Sequence, residues 1–364
     1  MGHEGREADS VMNVDPDRIR SAWQGRITGC LLGKPIEVLS FQRGLRGVRG
    51  YLQAAGSLPL RSYIPLVDGA APAGSGPKCC LGHIERAEPD DDITYTLLAL
   101  LLLEEHGASL ETADVARAWL KLLPAGSTWT AERAAYRILL DKMSEQFVNG
   151  GSPGFDLEEC SNNEYNGWIG AQIRADLYGW ACPGRPALAA SLARRDAALS
   201  HRGEGVHAAA FIAALGAAIP LSGDLDGAID CALGEIPGES RTAAAVRFGR
   251  SIAGSADAVT RLHDEYEGLS PAHSTNNLAL VVWAISSCGD DFSAAIGDAV
   301  SAGWDTDCNG ATVGGLCGLM GMRISGDWIR PWNGRIAAGL AGHSELKLED
   351  VVARTVAVAR RLAS

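Results

Sequence analysis

Hydrophobic residues along the chain recur mostly at steps of three and four, which is the spacing of one face of an α-helix. The first such segment begins at Asp15 and ends at Gly33. Runs with the alternating period of β-strands are scarce, so the pattern predicts an all-α fold. Further helices are predicted over 89–107, 111–122, 130–147, 168–178, 186–199, 205–219, 225–233, 240–252, 256–266, 275–287, 291–302, 310–320, 331–340 and 348–362.

The remaining segments lack this period. Residues 1–15 are polar and are expected to form a disordered tail. Residues 40–60 carry Gly and Arg and are expected to form short helical turns, and residues 65–89 hold four prolines, which favours a long surface loop. Residues 16–364 are therefore predicted to form a single all-α domain.

Two of the predicted helices begin with acidic residues. Asp90, Asp91 and Asp92 precede a segment that is apolar on every side, which is typical of a helix at the centre of a core. One acid at this place usually caps the helix, but three in succession exceed what a cap requires. Asp305 and Asp307 precede a second helix, which carries glycines every four residues.

The glycines of this second helix are Gly310, Gly314 and Gly318. Each glycine inside a helix costs roughly 0.5–1 kcal/mol relative to alanine. Because this helix carries three such glycines on one face, that face is expected to pack closely against neighbouring helices. Such packing would hold the loop with Asp305 and Asp307 in the middle of the protein.

Composition and charge narrow the class of protein. With 46% hydrophobic and 21% charged residues the chain is typical of a soluble globular protein, and its net charge of −12 argues against general binding to nucleic acid or anionic membranes. Nine cysteines without a repeated spacing indicate buried thiols in a reducing cytoplasm. The N-terminus lacks the apolar core of a signal peptide, and the apolar run at 97–103 is too short to span a bilayer.

Bringing the acidic segments together would require cations. Two carboxylates about 4 Å apart repel by roughly 4 kcal/mol at an effective dielectric near 20. The acids, with Glu37 after the first helix, must therefore either bind protons or bind metal. Hard oxygen ligands without His or Cys pairs at zinc spacing suit Mg²⁺, for which Mn²⁺ can substitute.

The order of motifs resembles the ADP-ribosylglycohydrolase family. Matching blocks follow one another in the family's order between about residues 16 and 322; they are Gly29–Gly33 leading to Glu37, Asp91–Thr96, Asn166–Arg174 followed by Ser200 and His201, and Asp305–Gly310 with its glycine-rich helix. Each block alone is weak, and the ordered set is specific. The resemblance implies an all-helical fold, with one compact domain of orthogonal helices and two Mg²⁺ ions in a central acidic metal cleft.

The resemblance also implies roles for single residues. The metal ligands implied are Asp90, Asp91, Asp92, Asp305, Asp307 and Cys308. The catalytic candidates are Glu37, Asp92 and Asp307, among which the general base stays open. The expected substrate contacts are Asn166, Trp168, Gly170, His201, Gly303, Trp304 and Asn277, with Trp168, Trp304 and Tyr165 as stacking surfaces for a base. Arg174 is expected to pair with an acid in the core.

The chain departs from the family pattern at several of these places. Asp90 and Cys308 stand where the family usually has threonine or serine ligands, and a thiol is a poor ligand for Mg²⁺. Ile93 replaces a threonine, and Asp176 lies where many relatives carry proline. These differences indicate a divergent branch, so the substrate is not carried over from the family.

The function predicted is a cytoplasmic Mg²⁺-dependent hydrolase of an N- or O-glycosidic bond to ribose, acting on an ADP-ribosyl conjugate of a protein or a small molecule. One alternative is a hydrolase of a nucleoside-like metabolite. Another alternative is a non-catalytic binding protein with the same fold. The replacement of a family ligand by Cys308 favours this alternative, whereas the intact acids argue against it. A metal-dependent phosphatase should show basic residues near the acids, and the sequence shows only scattered arginines.

Overall fold

The computed structural model describes residues 14–67 and 72–364, and nearly all regular structure in them is helical. The α-helices are α1 (Pro16–Gly33), α2 (Glu37–Ala54), α3 (Asp91–His106), α4 (Thr112–Leu122), α5 (Thr130–Lys142), α6 (Asp176–Ala181), α7 (Pro186–Ala197), α8 (Glu204–Ala218), α9 (Leu225–Leu233), α10 (Arg241–Ser251), α11 (Ala258–Glu265), α12 (Ser274–Ser287), α13 (Phe292–Ser301), α14 (Thr306–Leu319), α15 (Gly326–Ile329) and α16 (Leu348–Ala363). The all-α prediction is confirmed.

Shorter elements connect these helices. Single 3₁₀ turns are Lys34–Ile36, Gly76–Cys79, Gly107–Ser109, Ala125–Ser127, Phe147–Asn149, Leu157–Ser161, Ile169–Arg174 and Arg330–Trp332. Strands β1 (Arg335–Ala337) and β2 (Glu345–Lys347) pair antiparallel, with Ile336 opposite Leu346. Most of the tail predicted over residues 1–15 lies outside the described residues, as do residues 68–71 of the predicted loop.

The helix predicted over 331–340 is wrong. Asn333 and Gly334 both have left-handed backbone conformations, with φ of 51° and 64°, which end the preceding turn and lead into β1. The segment 40–60 also differs from the expected short turns. It lies mostly in α2, which is one long helix interrupted at Gly44, where φ is 59°.

The centre of the fold is an antiparallel pair, α1 and α14, which form the largest contact between two helices of the described chain. A Cβ atom added at Gly25, Gly29 or Gly33 of α1 would overlap the backbone of α14, and Gly310 and Gly314 face α1 in the same way. The predicted packing of the glycine face is therefore confirmed. Every residue of α14 is buried.

Other helices cover this pair. α13 and α12 pack on α14, α16 packs on α1, and α8 lies against α6, α7 and α9. One hydrophobic cluster extends from Val14 to Leu362. The domain boundary at residue 16 remains a prediction. None of the described helices combines the length and the apolar character needed to cross a bilayer.

Candidate active site

Three segments that are far apart in the sequence meet at one end of the central helix pair. They are the turn after α1 with Lys34 and Glu37, the start of α3, and the start of α14. Because α1 and α14 are antiparallel, the C-terminal end of α1 lies beside the N-terminal end of α14. The hydroxyl of Thr306 donates a hydrogen bond of 2.9 Å to the carbonyl of Gly33, which fixes this junction.

The Lys34 ammonium joins the three segments. Its Nζ atom lies 2.9 Å from Glu37 Oε2, 2.6 Å from Asp90 Oδ2 and 2.9 Å from Asp307 Oδ2. Although burial lowers the pKa of Lys34, the carboxylates of Asp307 and Asp90 raise it above its usual value. Lys34 is therefore a charged cation at the centre of the acidic cluster.

Asp90 has a second contact that belongs to the helix. Its Oδ1 accepts a hydrogen bond of 3.0 Å from the backbone N–H of Asp92, so Asp90 is the N-cap of α3. The capping role of this acid is therefore confirmed for one oxygen, while its role as a metal ligand stays a prediction. The cap orients the side chain so that Oδ2 points to Lys34.

Arg26 supports Asp92 from the side of the core. This fully buried guanidinium lies 3.2 Å from Asp92 Oδ1 and donates to Asp176 Oδ2 at 2.9 Å. It also donates to the backbone carbonyls of Asp92 and Ile173. One oxygen of Asp92 is therefore fixed by a permanent cation, while Oδ2 is buried without a hydrogen-bond partner among the described residues.

The cluster offers several sets of metal-ligand atoms. Asp305 Oδ1 and Asp307 Oδ1 are, like Asp92 Oδ2, buried and without a hydrogen-bond partner among the described residues. The groups whose ligand atoms lie within 4.8 Å of one another are Cys30, Asp90 and Asp92; Asp92, Asp307 and Cys308; and Glu37, Asp305 and Asp307. These residues fit a divalent cation, because buried carboxylate oxygens without donors need one.

The electrostatics of the protein without metal agree with this interpretation. Burial, and then the charges of neighbouring acids, raise the pKa of Asp305, and burial raises that of Asp92 against the opposing effect of Arg26. Burial and Asp90 raise the pKa of Asp91 to about 8. Among the described residues, Asp91 belongs to none of the ligand groups, so its role as a ligand stays a prediction.

Cys308 lies within the cluster, one residue after Asp307. Its thiol is buried, and burial raises its pKa well above the usual value. A neutral thiol is a weak ligand for a hard cation. The structure thus brings Cys308 to the expected place, and its chemistry favours the carboxylates around it as the ligands of a hard ion.

The loop before α14 is held by amides and by packing. The Asn277 side chain accepts hydrogen bonds from Asn309 Nδ2 at 2.7 Å and from the backbone N–H of Asp305 at 3.4 Å. Its Nδ2 donates to the carbonyls of Pro271 and His273. All the hydrogen bonds this amide can make go to protein, so Asn277 holds the Asp305 loop in place.

Gly303 and Trp304 complete this loop in left-handed conformations. Trp304 has φ of 58°, which is strained for a bulky side chain. Its ring packs 4.5 Å from that of His263 and is 8% exposed. Gly303 lies beside Ser40. The strained turn directs Asp305 towards the cluster, and contact of Trp304 with a substrate stays a prediction.

The other expected substrate residues lie around a buried ion pair network. Arg174 donates 2.7 Å hydrogen bonds to Glu132 and Asp196, which confirms its predicted pairing with core acids. A Cβ atom at Gly170 would overlap the Glu132 carboxylate, so glycine permits this close approach. His201 Nδ1 lies 2.8 Å from Ser200 Oγ, and burial, followed by the charge of Arg174, lowers its pKa well below the usual value.

Asn166 and Trp168 lie at the edge of this network. Asn166 donates from Nδ2 to the carbonyl of Ser161 at 3.3 Å, and both it and Trp168 are half-buried. The rings of Tyr165 and Trp168 meet edge to face at 4.9 Å. These side chains are therefore reachable from outside, whereas His201 is fully enclosed. Their contact with a substrate remains a prediction.

A groove of about 620 Å³ begins beside the cluster at Pro35 and follows α2 to Ala54. Arg43 and Arg46 line it, and neither forms an ion pair with a described residue. The sequence analysis did not connect these arginines with the acids. They stand six and nine residues after Glu37, and no local pattern in the sequence connects them with the acids.

Sequence analysis also missed the cations of the cluster. Arg26 lies on the same helix face as Trp23, Ile27 and Cys30, and a charge on a face that is otherwise apolar indicates a buried ion pair. Lys34 stands three residues before Glu37, a spacing that allows contact on a helical turn. Both signals were present in the sequence.

Together, the fold and the carboxylate cluster define a helical protein with a buried acidic centre suited to divalent cations. A model of the ADP-ribosylglycohydrolase family matches residues 12–358. The chain belongs to this family, whose members are metal-dependent, glycosidase-type hydrolases that act on ADP-ribosyl substrates. The resemblance noted in the sequence is therefore confirmed.

Comparison with solved structures supports the fold. The chain is similar to an ADP-ribosylglycohydrolase-related protein complex, with 20% sequence identity and a TM-score of 0.55 over 96% of this chain and 99% of that chain. A search of curated proteins finds no match.

Proposed function

We propose that the protein is a Mg²⁺-dependent hydrolase that cleaves an N- or O-glycosidic bond to ribose in an ADP-ribosyl conjugate. The observation that carries this proposal is the convergence of carboxylates from three segments on one buried point. There Asp92, Asp305 and Asp307 each have an oxygen without a hydrogen-bond donor among the described residues. Asp92, Asp305 and Asp307 would hold the metal. When bound, a divalent ion of this kind orients the ribose hydroxyls and lowers the pKa of a water molecule.

Residues of the chain would supply the general base, the stabilisation of charge on the substrate and the positioning of the metal ligands. The Glu37 side chain is 25% exposed, against 3% or less for those of Asp90, Asp92 and Asp307, so it is the acid best placed to take a proton from an attacking water. The surrounding carboxylates would stabilise the positive charge that develops on the ribose ring. Arg26 and Asn277 would keep Asp92 and Asp305 in place.

The groove along α2 supports a conjugate that carries phosphate over a bare nucleoside. Arg43 and Arg46 line a space that begins at Pro35 and Val38, and guanidinium groups without a carboxylate partner among the described residues suit phosphate oxygens. A substrate with its ribose at the cluster and its phosphates in the groove would use both features.

The experiment is a hydrolysis assay with the purified chain, with Mg²⁺ and with chelator. We expect release of ADP-ribose from ADP-ribosylated side chains or small molecules only with the metal. Asp92→Asn should abolish release, while Asp290→Asn, an exposed acid, should not change it. Cleavage of ribonucleosides instead would support the alternative that the protein hydrolyses a nucleoside-like metabolite. If neither class of substrate is cleaved with Mg²⁺ or Mn²⁺, the result would favour a non-catalytic member of the family.

A further inference from the structure

The Lys34 ammonium occupies a cation position of the acidic cluster. An ammonium group has three N–H donors. The three carboxylates within 2.9 Å of Nζ, from Glu37, Asp90 and Asp307, come from the starts of three different helices. Lys34 donates a hydrogen bond to Asp307 Oδ2 and forms ion pairs with Glu37 and Asp90, so it separates acids that would otherwise face one another.

The backbone around Lys34 fixes this position. Gly33 before it packs so closely on α14 that a Cβ atom would overlap the Thr306 carbonyl, and Pro35 after it restricts the chain further. The side chain of Lys34 is 19% exposed. Because its main chain and three acids fix its position, the ammonium is an integral part of the acidic cluster and not a mobile surface side chain.

The oxygens divide into two sets. Lys34 contacts Asp307 through Oδ2, while Oδ1 of the same carboxylate is buried and has no hydrogen-bond partner among the described residues. Asp92 Oδ2 and Asp305 Oδ1 are likewise buried and without a hydrogen-bond partner among the described residues. A divalent ion at the group of Glu37, Asp305 and Asp307 would share two of its carboxylates with the ammonium and would be repelled by it.

We propose that Lys34 takes the place of one of the two metal ions expected for this family, so that the centre binds a single divalent ion. That ion uses oxygens without a hydrogen-bond partner among the described residues: Asp92 Oδ2 and Asp307 Oδ1, whose residues belong to one ligand group, and Asp305 Oδ1, whose residue shares a second group with Asp307. The inference rests on the metal dependence in the proposed function and concerns the number of ions and the residue that sets it.

The test counts bound ions in the full-length protein with Mn²⁺ as the probe. Equilibrium dialysis with metal analysis should give one Mn²⁺ per wild-type chain, with the electron paramagnetic resonance spectrum of an isolated ion. Lys34→Met removes the charge and keeps an apolar stem of similar length, and it should gain a second Mn²⁺ and a spectrum of two coupled ions. Lys121→Met, at an exposed position on α4, should bind one ion as the wild type does.

Two results would overturn the inference. One is a wild-type protein with two bound Mn²⁺ ions, which would mean that Lys34 moves away when metal binds. The other is a Lys34→Met protein that still binds one ion. If this variant does not fold, the wild-type count and spectrum decide alone. Either result leaves the metal-dependent hydrolysis intact, whereas a wild-type chain without any bound ion would overturn the proposed function as well.

Discussion

At the scale of single residues, Arg26 forms ion pairs with two buried acids, Asp92 and Asp176, and its single positive charge offsets only part of their negative charge. Burial raises the pKa of Asp176 to about 6 although the guanidinium lies 2.9 Å away. The folded protein therefore binds more protons than the unfolded chain between about pH 4 and pH 6. The stability contributed by protonated Asp176 is present below this range and is lost as the pH rises through it.

We expect Asp176→Asn to remove this dependence. Relative to the variant, the wild type should lose about 3 kcal/mol of unfolding free energy between about pH 4 and pH 7, because the pKa shift of roughly two units corresponds to about 1.4 kcal/mol per unit. Urea unfolding of both proteins at the two pH values measures the change, and effects of acids that do not share Arg26 with Asp176 cancel in the difference. A constant difference across this range would contradict the predicted titration of Asp176.

Glu37→Gln tests the role proposed for the general base. Glutamine can still accept a hydrogen bond from Lys34 and cannot accept a proton from water. We expect kcat to fall by about 10²–10⁴-fold, the usual contribution of a general base, with binding of Mn²⁺ retained. Steady-state kinetics and a metal count on the same preparation separate the two properties. Unchanged kcat would assign the base to one of the aspartates instead.

The residues of the site could be predicted from the sequence only in part. Paired aspartates at the starts of helices are visible as local patterns, and the order of motifs connects them. The contacts of Lys34 and Arg26 depend on how three segments meet, and no local pattern specifies that meeting. Roles such as that of Asn277, whose amide is used entirely by protein, likewise depend on tertiary contacts.

At the scale of helices, the close approach of α1 and α14 positions the acids, so their interface should control both stability and metal binding. We expect Gly29→Ala to destabilise the protein by about 1–3 kcal/mol or more, because its Cβ would overlap the Gly310 carbonyl and force the helices apart. Chemical unfolding and a Mn²⁺ titration measure the two effects.

Gly50→Ala is the matched control for this change. Gly50 lies in α2, and a Cβ atom there would meet no described atom within 4 Å. This substitution should be neutral or should stabilise by about 0.5–1 kcal/mol, since alanine favours the helix over the unfolded chain. Equal effects of the two substitutions would show that helix propensity, and not the contact between α1 and α14, determines the result.

Helices with a buried face were the elements that the sequence predicted best, because the period of three to four residues follows from burial itself. α1, α3 and α16 begin and end within two residues of the prediction. The failure at 331–340 came from β1, which pairs with β2 and, through Ile336, with Ala87 in a distant part of the chain. Two consecutive left-handed residues, Asn333 and Gly334, were the local signal against a helix.

At the scale of the whole molecule, a chain with a net charge of −12 places several of its acids inside, where water cannot screen them. The sequence predicted the charge and the helical class, and the arrangement of the helices around α1 and α14 had to come from the structure. Three internal cations, Arg26, Lys34 and Arg174, offset part of the buried negative charge of the described residues. The remainder is the charge that the proposed divalent ion would neutralise.

We therefore expect Mg²⁺ to stabilise the whole fold. At a free concentration about 100 times the Kd, binding to the native state alone adds about 2.7 kcal/mol to the unfolding free energy. The melting temperature should rise on addition of Mg²⁺ and return on addition of chelator. Asp305→Ala should lose this response because it removes a buried oxygen that has no donor among the described residues, and Asp290→Asn should keep it. Mg²⁺ stabilisation that survives both Asp305→Ala and Asp92→Ala would place the metal elsewhere in the protein.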